Sequence, residues 1–324
     1  MTELSGTDSV RSTSSRPGGV ALSSRQTPVQ RFVHGLLQTW RDRWAYLLLA
    51  PFAICWLLFY LIPLVRLLWT SLHRSGIRRS EFVGFGNFED LLTDDLFWTD
   101  LYNTTVIVLV LVPVVISIAL VVSLIANEMG PRWQSFFRLA FYIPVVASSV
   151  VLAVLWLSIY RPVGGLLNNL IGMFGIAPVV WLGTIETALP AVIVVLVSFS
   201  LGVPIILFLS GLGAIPAELY EAAVIDGATR LQQARHVSVP LLRPTLLFVA
   251  VTQTIAASQV FALVQILTSG GPVNSTDTLV FRIYRDAFTH FDFGYASAIT
   301  VILLLLVSVA VSIQFRLFGQ DVQY

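Results

Sequence analysis

Six apolar runs, separated by hydrophilic segments, set the pattern of this chain. They cover about 45–70, 104–126, 139–160, 189–212, 245–267 and 296–318. Each holds roughly 22–26 residues, enough to cross about 30 Å of hydrocarbon at a helical rise of about 1.5 Å per residue. The pattern predicts an all-α membrane protein with about six transmembrane helices. Pro51, Pro63, Pro113, Pro144 and Pro204 fall inside these runs, where they kink helices whose freed backbone groups neighbours must satisfy. Ahead of them, residues 1–40 are rich in Ser, Thr, Arg and Gly and have no apolar stretch of signal-peptide type. They read as a disordered cytoplasmic tail that leads into a short interfacial helix near 32–44. Residues 41–324 then form the membrane domain.

Composition agrees with the pattern. Hydrophobic residues make up 56% of 324 positions and charged ones 11%, against about a quarter charged in a soluble domain. All 19 basic residues are arginines, which excludes a phosphate-binding loop of the G-x-x-x-x-G-K-[ST] type and any Schiff-base enzyme. Cys55, the sole cysteine, excludes an intrachain disulfide and a thiolate metal cluster, and is expected to pack in its apolar run. His34, His73, His236 and His290 lie in four separate hydrophilic segments, so no metal site is expected. No cofactor or nucleic-acid partner is implied.

Arginine placement gives the orientation. With the N-terminus inside, Arg11, Arg16, Arg25, Arg31, Arg41, Arg43, Arg132, Arg138, Arg230, Arg235, Arg243 and Arg316 are cytoplasmic. Arg74, Arg78, Arg79, Arg161, Arg282 and Arg285 are external, and Arg66 sits near the outer end of the first span. Both termini are therefore expected inside. The six predicted spans contain no carboxylate, which argues against a proton or sodium relay and for energy supplied by another chain.

The hydrophilic segment 213–244 carries two short helices in its local chemistry. Pro216 suits a first helical turn, and Glu218 and Glu221 favour its positive end. Gly227 suits the left-handed position that ends such a helix. Thr229 and Gln232 form a T-x-x-Q capping box opening a second helix, which Pro240 is expected to stop.

Glu221-Ala222-Ala223, three residues, Gly227, nine residues, then Val237-x-Val239-Pro240 resembles the EAA loop of binding-protein-dependent ABC importer permeases. The family pattern ends I-x-L-P, and valine replaces both aliphatic residues here. The resemblance implies the type I permease fold of ABC importers in a bacterial inner membrane. It also implies that this loop is a coupling helix seated in a groove of a separate ATPase. Glu221 would pair with a basic ATPase residue, and Ala222 and Ala223 would permit close approach. Gly227 would make the turn, with Asp226 and Pro240 completing the ATPase-coupling set. The chain itself would be no enzyme, since ATP and Mg would bind to the partner ATPase subunits.

Other segments are similar to the carbohydrate branch, specifically the first permease subunit of maltose-type and glycerol-phosphate-type importers. These are Phe82-Val83-Gly84-Phe85-Gly86-Asn87-Phe88 with the acids Glu89, Asp90, Asp94 and Asp95; Leu267-Thr268-Ser269-Gly270-Gly271-Pro272; and Asp292-Phe293-Gly294-Tyr295-Ala296-Ser297-Ala298. The resemblance implies a heterodimer with a second permease subunit, two ATPase subunits, an extracytoplasmic solute-binding protein and surrounding membrane lipid. In the fifth span Thr252 and Gln259, and Ser258 and Gln265, are each seven residues apart and are expected to share helix faces. These uncharged groups, with Gln253, Thr254 and the weaker candidates Ser148, Ser149, Ser198 and Ser200, suit either a polyhydroxylated substrate or hydrogen bonding across helices. A secondary, ATP-independent transporter of small polar solutes is the alternative function. A membrane-embedded transferase is a further rival, and glycerol phosphate a further cargo.

Overall fold

The computed structural model describes residues 43–76 and 80–318. The tail over 1–40 and most of the interfacial helix expected near 32–44 lie outside those residues. By its contacts the chain divides into two compact units, one ending at Pro63 and the other beginning at Leu64.

In the first unit, α1 (Arg43–Trp56) runs into a π turn, Leu57–Leu61. Pro63 has no amide hydrogen for a normal helical bond, and the wider turn just before it shifts the register. Helix α2 (Ile62–Ser71) continues the apolar run, and Leu47–Ser71 is long and apolar enough to cross a membrane. Cys55 does not pack as expected; it is exposed on α1, as lipid around an apolar helix allows.

The second unit begins within α2, and after that helix comes a small hairpin, β1 (His73–Ser75) and β2 (Ser80–Phe82), in antiparallel register with His73 opposite Phe82. Next come α3 (Gly86–Leu92), α4 (Asp95–Asn127), α5 (Pro131–Val146), α6 (Ser149–Ile159) and α7 (Leu166–Gly172). Helices α8 (Ile185–Ser200), α9 (Gly202–Gly213), α10 (Ala217–Ile225) and α11 (Arg230–Gln233) follow. The last four are α12 (Arg243–Ser258), α13 (Ala262–Leu267), α14 (Leu279–Tyr284) and α15 (Phe293–Phe318).

Among the described residues, three helical runs are long and apolar enough to cross a membrane, and up to six crossings exist if each bent pair counts as one. Two of the bends fall close to Pro144 and Pro204, where kinks were expected. The third crossing bends by 97° between α5 and α6, and the fourth by 43° between α8 and α9. The fifth bends by 68° where the helix ending at Leu241 meets α12. It also fails to run on to 267: α12 stops at Ser258 and a new helix starts at Ala262. Ser258 and Gln265 therefore share no helix face. Helix α4 starts nine residues before the predicted second span, and so carries Asp95 and Asp100 into the helix.

Helix α4 is the central post. It packs against α9, α12 and α8, while α15 packs on α12 and α14. Its small and branched residues Ile107, Leu111 and Val115 meet Val192, Val195 and Leu196 of α8. Further along, Ala119 and Ala126 meet Ile205, Phe208 and Leu212 of α9. Lipid offers no hydrophobic advantage to such contacts, so fit and interhelical hydrogen bonds decide them. Ser123 Oγ donates to the carbonyl of Ile205 (3.1 Å), and Gln314 Nε2 donates to Thr254 Oγ1 (2.6 Å).

The hairpin is fastened by the glycine and asparagine of two sequence motifs. Buried Asn87 donates Nδ2 to the carbonyls of Ser71 (2.8 Å) and His73 (2.9 Å). A Cβ on Gly294 would collide with the carbonyl of His73 and lie 2.9 Å from the amide of Ser75. Gly294→Ala is therefore expected to lower the melting temperature of the purified protein in detergent, with an overpacking cost of about 1–3 kcal/mol. An unchanged melting temperature would mean that the hairpin moves aside freely.

Candidate functional site

Two places combine exposure or free space with specific chemistry, and the first is the loop 213–244. Helix α10 begins after Pro216, which is its N-cap rather than its first helical residue. Its end is a Schellman turn. The amide of Ala228 bonds the carbonyl of Ala223 (2.9 Å), that of Gly227 bonds Val224 (3.0 Å), and Gly227 has φ +76°. Asp226 is the C-cap. The expected capping box is present: Gln232 Oε1 accepts from the Thr229 amide at 2.7 Å, and Thr229 Oγ1 accepts from the Gln232 amide at 3.4 Å.

Pro240 does not stop the second helix. The chain passes through a π turn, Ala234–Ser238, in which the Val239 amide reaches back to the Ala234 carbonyl, and the helix goes on to Leu241. As at Pro63, the wider turn accommodates a missing amide. The loop is tied to the end of α4 by an ion pair between Arg230 and Glu128, and its two halves are joined to each other by Tyr220 Oη with Ser238 Oγ (2.9 Å).

No residue of α10 is buried, although Val224 and Ile225 are 61% and 86% exposed and Leu231 beside them is 80% exposed. Glu221 and Ala222 are exposed on the same short helix, and Ala223 is half-buried. The turns of the loop are hydrogen-bonded and its apolar tip is exposed.

The second place is a cavity of about 210 Å³ where the broken crossings converge. Ser149 opens α6 at the first break, Ser200 closes α8 at the second, and Gln259 ends α12 at the third; all three line the cavity. Phe199 and Phe261 supply aromatic walls. Of the four residues proposed for a substrate path, only Gln259 lies here. Thr252 is exposed and turns its hydroxyl to the carbonyls of Phe248 and Val249. Ser258 is buried, donates to the Thr254 carbonyl (2.7 Å) and lines a separate, apolar cavity. Gln265 is half-buried in α13, away from the lining. Gln253 and Thr254 serve interhelical bonding, to the Ser200 carbonyl and to Gln314.

A buried ionic cluster at the Asp94 end of α4 escaped the reading of the sequence, which set Arg282 and Arg285 in a loop. Arg282 lies in α14, with a side chain 8% exposed, and binds Asp286 (3.0 Å), Asp100 (3.4 Å) and Asp94. Arg285 binds buried Asp277 (2.8 Å), and Tyr295 Oη donates to Asp94 (2.7 Å). Burial works against the charge on Asp94. Bonds from Tyr295 and the Leu96 amide, with the Arg282 guanidinium beside it, still hold its carboxyl below the usual range. Burial pushes the Asp277 carboxyl up, and Arg285 offsets only part of that. Burial likewise opposes the charge on Arg282, but Asp286, Asp94 and Asp100 hold it protonated more firmly than a free arginine. The available signal was the spacing of Arg282, Asp286 and His290, four residues apart on one helical face.

No group of three or more potential metal ligands exists among the described residues. His73 and His236 approach backbone carbonyls and His290 approaches Asp286; His34 lies outside the described residues.

Several helical crossings, three of them bent, together with an apolar cavity that carries three polar side chains and an exposed two-helix loop, are the architecture of a membrane permease. The chain belongs to the family described as binding-protein-dependent transport system inner membrane component, whose model matches residues 119–324. It is 36% identical over 279 residues to the probable ABC transporter permease protein YurN of Bacillus subtilis, covering 84% of this chain and 95% of that one. It is 33% identical over 267 residues to the trehalose/maltose transport system permease protein MalF of Thermococcus litoralis, covering 81% and 89%. Its fold matches a chain of a bacterial alginate ABC transporter solved in complex with an alginate pentasaccharide-bound periplasmic protein. The TM-score is 0.76 at 24% identity, with 85% of this chain and 94% of that one covered.

The space around Gly227 decides how substitutions there act. A Cβ would meet nothing within 4 Å, so bulk is tolerated and only the positive φ is strained. Gly227→Val is expected to reduce uptake strongly, through about 1–2 kcal/mol of backbone strain. Gly227→Asn, which adopts this conformation more readily, is expected to retain most of it. Equal uptake by the two variants would mean that the positive φ at Gly227 has no bearing on uptake.

Proposed function

We propose that this chain is one of two permease subunits of an ATP-driven importer of a neutral sugar or related polyol, with 213–244 as the loop that couples it to the ATPase. The observation that carries the reading is the exposed, apolar-tipped helix α10, held by a Schellman turn and a capping box and pinned to α4 through Arg230 and Glu128. A surface of that kind, fixed in shape and left uncovered, suits docking as a rigid body into a groove of another subunit. Glu221 pairs with a basic residue there, Ala222 and Ala223 keep the approach close, and Asp226, Gly227 and Pro240 set the shape of the loop. ATP and Mg are bound by two separate ATPase subunits, and a second permease completes the pathway. A solute-binding protein delivers cargo on the opposite face, a reading supported by the periplasmic protein in the alginate complex. Both termini are cytoplasmic, in keeping with the arginine distribution.

The cargo reading rests on the cavity at the three breaks. Gln259, Ser149 and Ser200 offer uncharged hydrogen-bonding groups, and Phe199 and Phe261 offer faces on which a sugar ring stacks. A relative named for trehalose and maltose transport supports the same class. Arg282 and Arg285 are held by carboxylates, which leaves neither as a receptor for a phosphate cargo.

Three experiments test these readings. Purification from native membranes in mild detergent is expected to recover a second permease and an ATPase. Glu221→Arg is expected to lose the ATPase and abolish uptake while the chain still inserts; normal uptake by that variant removes the loop from coupling. Gln259→Leu is expected to lower uptake at least about tenfold, the loss of one to two hydrogen bonds to the cargo, with insertion and ATPase recovery unchanged. Uptake at the wild-type rate would put the path elsewhere.

A further inference from the structure

The cluster around Arg282 has no place in the coupling loop or in the cavity lining, yet its helix touches the cavity wall. Thr278, the N-cap of α14, donates its hydroxyl to the carbonyl of Val260 (3.0 Å), next to Gln259. Phe281 and Tyr284, on either side of Arg282, pack their rings on Phe261 at centroid distances of 6.2 and 4.8 Å. On its other side the same segment is bonded to α4. Asn103 Nδ2 donates to the carbonyls of Asn274 (3.2 Å) and Asp277 (3.0 Å), and the Leu279 amide donates to Thr104 Oγ1 (3.0 Å). Thr276, Asp277 and Thr278 are fully or almost fully buried. Helix α14 thus bridges the end of α4 and the break in the fifth crossing, and Arg282 is the tie on the α4 side.

The chemistry of that tie is informative. Four carboxylates (Asp94, Asp100, Asp277, Asp286) face two guanidiniums and His290, and one oxygen each of Asp100 and Asp277 is buried without a hydrogen-bond partner. A buried ion network is a poor device for static stability, since well-packed apolar residues of similar volume often serve as well or better. It is a good device for a joint that must open into water, because separated charges hydrate strongly whereas separated apolar faces do not.

We propose that Arg282 is the positioning residue of the outer gate: by gathering Asp94, Asp100 and Asp286 it seats α14 against Val260 and Phe261, and so covers from outside the cavity wall next to Gln259, which is itself exposed. The inference rests on the orientation and cargo path given above. It is tested in the full chain in intact cells, with Cys55→Ser as a cysteine-free background and a membrane-impermeant maleimide as probe. A Gln259→Cys reporter is expected to label at least about tenfold faster when Arg282→Met is added, because the joint then opens locally. Thr278→Val, which cuts the Val260 contact and the cap on the Phe281 amide but changes no charged group of the cluster, is expected to act in the same direction. Ser123→Cys, buried between α4 and α9, is expected to stay unlabelled in both.

An unchanged rate at Gln259→Cys in the two variants overturns the proposal. Equal acceleration at Ser123→Cys also overturns it, since the substitution then merely loosens the fold. Met129→Cys, exposed between α4 and α5, reports topology separately and is expected to label only in permeabilised cells. Labelling there in intact cells inverts the orientation, and sinks the functional reading together with the gate.

Discussion

A backbone group that leaves a helix inside hydrocarbon has no water to bond to, and the bent crossings of this chain all have to answer that constraint. The answers are specific. Pro204 has no amide hydrogen for the carbonyl of Ser200, and Gln253 Nε2 reaches that carbonyl from α12 at 3.5 Å. Where α12 breaks, the carbonyl of Val260 is met by Thr278. Where α5 gives way to α6, Ser148 caps the new helix by accepting the Val150 amide at 3.3 Å. Each repair joins or shapes elements that sequence alone leaves separate, so the breaks and the packing of the bundle specify one another.

The same constraint explains why the candidate path lies where it does. Helix interiors present side chains only, with their backbone groups already bonded. Breaks supply free carbonyls and amides, together with polar residues that would be costly elsewhere in the membrane. Ser149, Ser200 and Gln259 sit at three breaks and line one cavity. Polar residues within α12, ahead of its break, take the other course allowed to them, bonding to their own helix or to a neighbour, as Thr252 and Thr254 do.

The two ends of α4 are built on different principles. At Asn127 it meets an exposed loop through the accessible Arg230–Glu128 pair, which salt and water screen. At Asp94 it enters a buried network in which Arg282 is 8% exposed and Asp100 fully enclosed. The exposed loop has its shape fixed by caps and turns and leaves its charges to solvent. The enclosed cluster has to satisfy its charges from within the chain.

The sequence by itself determined what local chemistry controls. Long apolar runs require a membrane because nothing else solvates them, and the glycine turn at 227 and the Thr229–Gln232 capping box follow from residue types a few positions apart. The motif residues Asn87 and Gly294 were visible as well, though not their common task of seating the hairpin. Tertiary structure decided where the crossings bend, because a proline or a polar residue only permits a break. A neighbour such as Gln253 or Thr278 must be within reach to satisfy the freed carbonyl. It also separated Gln259 from Thr252, Ser258 and Gln265, which helical spacing alone had grouped. The cluster around Arg282 was decided there too, since Asp94 and Arg282 lie far apart in the chain and meet only when α4, α14 and α15 pack.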